Sequence, residues 1–162
     1  DAFSARLAQP APPVAAMACE GFIRPDSVEE CVHLLTQHPD ARPVAGGTDL
    51  GVELNLRGRR PRLLVSLEGI DELRAFSATP DTVRIGAALP LTDIAACWVH
   101  APDVWHTWSD LFASPLIRNR ATLGGNLGTA SPIGDAAPLL LALDARVEMA
   151  GVSGRALQGA PP

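Results

Sequence analysis

The sequence is short of cysteine, of positive charge and of long apolar runs, and it has no tyrosine at all. Its three cysteines, Cys19, Cys31 and Cys97, are widely spaced and odd in number. They give neither a disulfide framework nor a C-x-x-C metal pair, so a reducing compartment is the simpler expectation, and with it a cytoplasmic location. Lys and Arg total 13 against 18 acidic residues, for a net charge of −5. That balance excludes a sequence-independent nucleic-acid binder, which needs an excess of cations to displace counterions from phosphates. No uninterrupted apolar stretch approaches the ~20 residues that cross a bilayer. The first residues lack the basic start and apolar block of an export leader, so no membrane role is expected.

What remains is a chain of 162 residues, 47% hydrophobic and 19% charged, which fits one globular domain. Residues 1–19 read as a linker: a short helix-like piece, DAFSARLAQ, then PAPPVAAMA, whose prolines block helix propagation. The domain proper is expected from residue 20 to 162. In DSVEECVHLLTQHP, Ser27 is placed to cap a helix that Pro39 stops. A strand in ARPVAG is followed by a glycine turn and a helix, LGVELNLRG, ending at Gly58. RLLVSLE and TVRIGAAL read as strands, the second after a turn at Thr79-Pro80-Asp81, and DIAACWVH reads as a helix. The pattern is α+β, without the long β-α-β repetition of a doubly wound sheet. Residues 111–145 predict a helix up to the arginines, a glycine-rich functional loop, and an apolar helix. The ending, GVSGRALQGAPP, shows neither strand alternation nor helical periodicity.

Two short segments carry the chemistry. In Ala45-Gly46-Gly47-Thr48-Asp49, backbone N–H groups between a strand and a helix can turn inward on an anion, with Thr48 adding a hydroxyl; a plain strand-to-helix turn is the alternative. Thr122-Leu123-Gly124-Gly125-Asn126 repeats that logic, with Ser131 beyond it. A dinucleotide has two phosphates, polyol hydroxyls and aromatic rings, so paired polar loops suit it. Phe112 is a stacking platform or else a core phenylalanine. Asp135 is a helix N-cap, a carboxylate for ribose or ribityl hydroxyls, or both. Arg118 and Arg120 flank the second segment, where they meet phosphate or simply sit at a helix end. His33, His38, His100 and His106 are scattered without metal-ligand spacing, and no catalytic triad assembles.

The blocks V-A-G-G-T-D-L at 44–50 and I-R-N-R-A-T-L-G-G-N-L-G-T-A-S-P-I-G-D-A-A-P at 117–138 resemble the FAD-binding domain of the molybdenum hydroxylases. The phrase A-S-P-I-G-D looks more like the small, FAD-containing subunit of bacterial xanthine dehydrogenase than the medium subunit of carbon monoxide dehydrogenase. The likeness spans roughly residues 20–150. It implies a two-subdomain α+β flavin fold in which FAD receives electrons from a [2Fe-2S] cluster and passes them to NAD. The iron–sulfur domain and the molybdopterin-binding subunit would be partners carrying their own cofactors, and the purine-oxidising pocket would lie outside this chain. Carried over by motif, Pro43, Val44, Ala45, Gly46, Gly47, Thr48, Asp49 and Leu50 would line the pyrophosphate and flavin. Phe112 would stack on the nucleotide, while Thr122, Leu123, Gly124, Gly125 and Asn126 would hold the second phosphate region. Ser131 and Asp135 would add polar contacts, Asp135 toward hydroxyls. No catalytic acid or base is implied.

Two departures from the family pattern accompany the likeness. Iron–sulfur cysteine motifs are missing, so electrons must enter from another segment or chain. After Gly154 the pattern is expected to stop, without the further strands and tyrosine-containing segment that complete a flavin site, which predicts a domain truncated at its C-terminal end. Alternative functions are the FAD subunit of carbon monoxide dehydrogenase or another aromatic hydroxylase, and a truncated docking fragment with no redox role.

Overall fold

The computed structural model describes Ala5 and residues 16–158. Apart from Ala5, the linker reading of residues 1–15 lies outside the described residues, as do residues 159–162. The first half of the chain forms a four-stranded sheet of order β1-β2-β4-β3, with β1 (Met17–Cys19), β2 (Phe22–Arg24), β3 (Arg42–Val44) and β4 (Leu64–Ser66). The sheet thus takes in the last three residues of the segment read as linker, which pair antiparallel with β2.

Helix α1 (Val28–Gln37) crosses from β2 to β3, and α2 (Thr48–Leu56) returns from β3 to β4. Both β2 and β3 run parallel to β4, so two β-α-β units are present before the repetition ends. The start of α1 follows from Ser27, whose hydroxyl accepts the Glu30 N–H at 3.2 Å. Between α1 and the sheet, Cys31, Ala41, Val65 and Ile70 form a buried cluster, flanked by Val28, Leu35, Leu63, Leu67 and Leu73.

A short helix, α3 (Asp71–Arg74), leads into the hairpin β5 (Phe76–Ala78) and β6 (Val83–Ile85), closed by the expected turn, where Thr79 Oγ1 accepts the Thr82 N–H at 3.0 Å. The strand anticipated as far as residue 89 ends at Ile85, because Leu89 N–H bonds back to the Gly86 carbonyl in a turn. Five helices then build the second core: α4 (Leu91–Cys97), α5 (Asp103–Leu111), α6 (Pro115–Arg118), α7 (Leu123–Thr129) and α8 (Ala136–Ala142). Leu89, Leu91, Ile94, Trp105, Ala121, Leu123, Ala136 and Leu139 are buried together there. The rings of Trp98, Trp105, Trp108 and Phe112 form a ladder along it, with successive centroids 5.2, 5.3 and 4.8 Å apart. Tilted pairs at this spacing add about 0.5–1.5 kcal/mol each beyond area burial.

Two readings of the sequence need correction. The glycine-rich middle of residues 111–145 is not a loop: Leu123–Thr129 is a helix, since Thr122 caps it and the glycines take helical angles rather than positive φ. The ending is not structureless either, as β7 (Val147–Gly151) and β8 (Gly154–Gln158) pair antiparallel in full register. Strand β7 is exposed along its whole length, so it carries no inside–outside alternation by which it could be recognised. Ion pairs from Glu148 to Arg84 at 2.7 Å and to Arg155 at 3.2 Å, and from Glu72 to Arg155, tether the hairpin. These pairs are exposed, so solvent screening leaves them little net stabilising effect. In α8, Leu139 is buried whereas Leu141 is 60% exposed.

Cys31 sits inside the first core, and burial, aided by the neighbouring Glu30 carboxylate, raises its thiol pKa. Cys19 and Cys97 are exposed. Ellman's reagent at pH 8 should therefore titrate two thiols in the native chain and all three in denaturant. The raised pKa favours the neutral thiol, so its stabilising effect is full below the ordinary value of 9.0 and is lost as pH rises through the folded value. Rapid labelling of a third thiol without denaturant would contradict the packing.

Candidate functional site

The first glycine segment packs against the residues that lead into the second. A Cβ built on Gly46 would collide with the carbonyl oxygen of Arg120, so the two main chains meet where only glycine fits. Around this point the Thr129 hydroxyl lies 3.0 Å from Asp49 Oδ2 and 2.9 Å from the Gly125 carbonyl, sharing one proton between two acceptors. Glu68, just after β4, pairs with Arg120. Leu67 N–H bonds the Val44 carbonyl at 2.8 Å, holding the strand end that leads into the glycine turn.

Within the first segment, Pro43 and Val44 belong to β3, Ala45 and Gly46 form the turn, and Thr48, Asp49 and Leu50 are the first turn of α2. Gly47 is the N-cap in the left-handed region, at φ 74°, and no side chain caps the helix. The opening N–H groups of this nine-residue helix consequently have no side-chain acceptor, and the helix dipole adds partial positive charge there.

The second segment is built differently. Thr122 is buried and accepts the Gly125 N–H at 2.9 Å as the cap of α7. Gly124 packs on Ala87, whose carbonyl oxygen lies 2.6 Å from the position a Cβ would take and accepts the Gly124 N–H. Leu123 is core, and Asn126 Oδ1 accepts the Ala136 N–H at 3.2 Å, joining α7 to the start of α8. Gly125 and Gly128 are exposed, and a Cβ on Gly128 would meet nothing within 4 Å. Here the glycines allow close packing on one side and leave an open helix face on the other.

Asp135 does not cap α8: it has α-helical backbone angles and makes no side-chain capping bond. Its backbone carbonyl accepts the Trp108 indole N–H at 3.2 Å, and its carboxylate is exposed. Ser131 is exposed and its hydroxyl accepts the Ile133 N–H at 3.3 Å. Phe112 is half-buried at the end of the aromatic ladder, with one side against Trp108. Both arginines have structural partners: Arg118 donates to the Phe112 and Ala113 carbonyls at 2.7 and 3.0 Å, and Arg120 is held by Glu68. Thr129 escaped the sequence reading because its partner Asp49 is 80 residues away, and no local pattern marks such a contact. Among the described residues, no three His, Cys, Asp or Glu side chains converge on a metal position, and no helix is long and apolar enough to cross a membrane.

The seam yields a test by stability. Gly46→Ala drives a methyl into the Arg120 carbonyl and should cost about 3 kcal/mol or more, as overpacking against backbone does. Gly47→Ala meets only Val44 Cγ2, at 3.6 Å, so it should cost about 1–2 kcal/mol for the left-handed backbone alone. Urea unfolding of the two variants should rank them in that order; the reverse order would mean that the segments do not meet at Gly46.

Comparison with known proteins agrees with this architecture. Residues 16–158 match the family described as the FAD binding domain in molybdopterin dehydrogenase, four residues past Gly154, where the pattern was expected to stop. The nicotinate dehydrogenase FAD-subunit of Eubacterium barkeri is 36% identical over 138 residues, covering 82% of this chain and 46% of that protein. The xanthine dehydrogenase/oxidase of Gallus gallus is 30% identical over 145 residues, 83% of this chain and 11% of that protein. Among solved structures, carbon monoxide dehydrogenase from Hydrogenophaga pseudoflava superimposes with a TM-score of 0.81 at 31% identity, covering 91% of this chain and 52% of that one. Quinoline 2-oxidoreductase from Pseudomonas putida 86 gives 0.77 at 28% identity, with the same coverage. The chain spans about half the length of the FAD-subunit relative. It belongs to the family of FAD-binding domains of the molybdenum hydroxylases.

Proposed function

We propose that the chain is the FAD-binding electron-transfer module of a cytoplasmic, xanthine dehydrogenase-type molybdenum hydroxylase that oxidises a purine, standing between a [2Fe-2S] donor and NAD as acceptor. In this reading the iron–sulfur domain and the molybdopterin-binding subunit are its partners. The observation that carries the cofactor assignment is the start of α2, where a left-handed glycine and N–H groups without a side-chain cap leave donors open to an anion. These groups fit a diphosphate, with Thr48 as an added hydroxyl and Pro43–Leu50 as the surrounding wall. FAD supplies the redox chemistry once held there.

The second segment fits as support more than as a second nest. Thr122 and Asn126 fix α7 so that exposed Gly125 and Gly128 offer a side on which a ligand can approach the helix closely. Leu123 and Gly124 anchor that helix in the core. Ser131 and Asp135 present exposed polar groups in the segment between α7 and α8, suited to ribityl or ribose hydroxyls. Phe112 offers its remaining edge to the nucleotide.

A second reading has its own support, since the nicotinate relative is more similar in sequence than the chicken xanthine enzyme and carbon monoxide dehydrogenase superimposes well. Purified complex assayed with hypoxanthine, nicotinate and carbon monoxide, each with and without NAD, separates the readings. Turnover of hypoxanthine that requires NAD supports the first, while NAD-independent turnover of either other substrate replaces it. Failure of the chain to take up FAD in any form would leave a docking role instead.

Because Asp135 is not a cap, its replacement separates ligand binding from stability. Asp135→Asn should leave the melting temperature unchanged and weaken FAD about tenfold to a hundredfold, the loss of charge-assisted hydrogen bonds worth about 1.5–3 kcal/mol. Titration of apoprotein with FAD, followed by quenching of flavin fluorescence, measures it. Equal affinity in the two proteins would remove Asp135 from the site.

A further inference from the structure

At the end of the first sheet remote from the glycine turn, five arginines gather. Strand β3 starts at Arg42, whose register partner is Leu64 at the start of β4, and Arg42 N–H bonds the Leu63 carbonyl. Helix α2 runs back from the glycine turn and delivers Arg57, Arg59, Arg60 and Arg62 to this same end. All five are exposed. The nine residues of α2 separate Arg57 and the arginines after it from the glycine turn by about 13 Å at 1.5 Å per residue, and Arg42 stands at the end of β3 away from that turn.

The cluster is held in shape yet under-neutralised. Arg60 folds back on the Leu54 and Arg59 carbonyls at the helix C-terminus. Glu53 is the one carboxylate in range, 3.4 Å from Arg42 and 3.8 Å from Arg59, and Arg57 and Arg62 have none within 4 Å among the described residues. Five of the 13 basic residues of a chain with net charge −5 are thus concentrated in one place. The chain has no lysine, so the cluster is made of arginine, whose planar fork matches a carboxylate through two parallel hydrogen bonds. Leu56 stands beside them, 81% exposed, and Val52, one turn earlier, is 47% exposed. Apolar anchors ringed by guanidiniums are the composition of a protein-binding hot spot.

We propose that this surface docks an acidic segment of a partner protein, one that sets Asp or Glu side chains against Arg42, Arg57, Arg59 and Arg62 and an apolar side chain against Leu56. Nucleic acid fits it less well. Residues 48–62 contain no aromatic ring on which a base could stack, the remaining surface is acidic, and a phosphate backbone would leave Leu56 in water. The inference does not depend on the flavin reading, because the arginine cluster and the glycine turn lie at opposite ends of α2.

The test uses the full chain and three probes: a fluorescein-labelled peptide of alternating Glu and Leu, an oligo(dT) of equal charge, and vesicles of phosphatidylcholine with phosphatidylglycerol. Fluorescence anisotropy and co-sedimentation should show the peptide bound most tightly, with affinity falling as NaCl rises from 50 to 300 mM. Arg57→Glu/Arg62→Glu should weaken the peptide at least tenfold, Leu56→Ala should weaken it several-fold, and Arg146→Glu, on an exposed arginine elsewhere, should leave it unchanged. These exposed positions should not disturb folding, which protection of the Cys31 thiol checks in each variant. No peptide binding, binding indifferent to the double charge reversal, or tighter binding of oligo(dT) or vesicles would overturn the proposal.

Discussion

The contact between Gly46 and the Arg120 carbonyl fixes the relation of the two halves of the domain. On one side of it stands the sheet with its Cys31 and Val65 core; on the other stands the helical core around Trp105 and Leu91. A side chain at residue 46 would hold these bodies apart by the width of a methyl group, and the Asp49–Thr129 bond and the Glu68–Arg120 pair would no longer be in reach. The polar contacts at the seam are therefore consequences of a steric condition. They decide how well the seam is closed once the backbones have been allowed to meet. Leu91 N–H bonding to the Ala121 carbonyl ties the helical core to the residue that follows Arg120, so the same segment serves both halves.

This arrangement gives the two glycine pairs different work. Gly47 supplies a left-handed conformation and an uncapped helix start. Gly46 and Gly124 supply nearness, one to Arg120 and the other to Ala87. In a sequence both kinds of glycine look alike, and for that reason T-L-G-G-N was read as a second concave loop when it is the first turn of a helix. The capping threonine was the available clue: Thr122 stands three residues before the amide it accepts, as Ser27 does in α1, where the pattern was read correctly. What differed was the company, since glycines lower helix propensity and tertiary packing overrode that preference.

Elsewhere legibility followed burial. Helix α1 was plain because it has one face on the core and a capping serine at its start, whereas the strand–turn–helix at 42–56, whose helix buries no residue, was plain from its glycines at 46, 47 and 58. The strand β7 was invisible because it has no buried face. Asp135 was assigned two roles from its position before a helix, and the capping role fell away once its backbone proved helical. The family likeness rests on the long second block, and the match over residues 16–158 holds although that block's local structure is helix and not loop.

The distribution of tryptophan and cysteine between the cores has a practical meaning. All three tryptophans lie in the helical half, stacked within one ladder, whereas the buried thiol Cys31 lies in the sheet half. Intrinsic fluorescence is thus a gauge of one half alone, and thiol protection a gauge of the other. A protein that loosens its sheet while keeping its helices would look fully folded to the spectrometer and half open to the thiol reagent, so the chain carries separate reporters for two events that a single melting curve would merge.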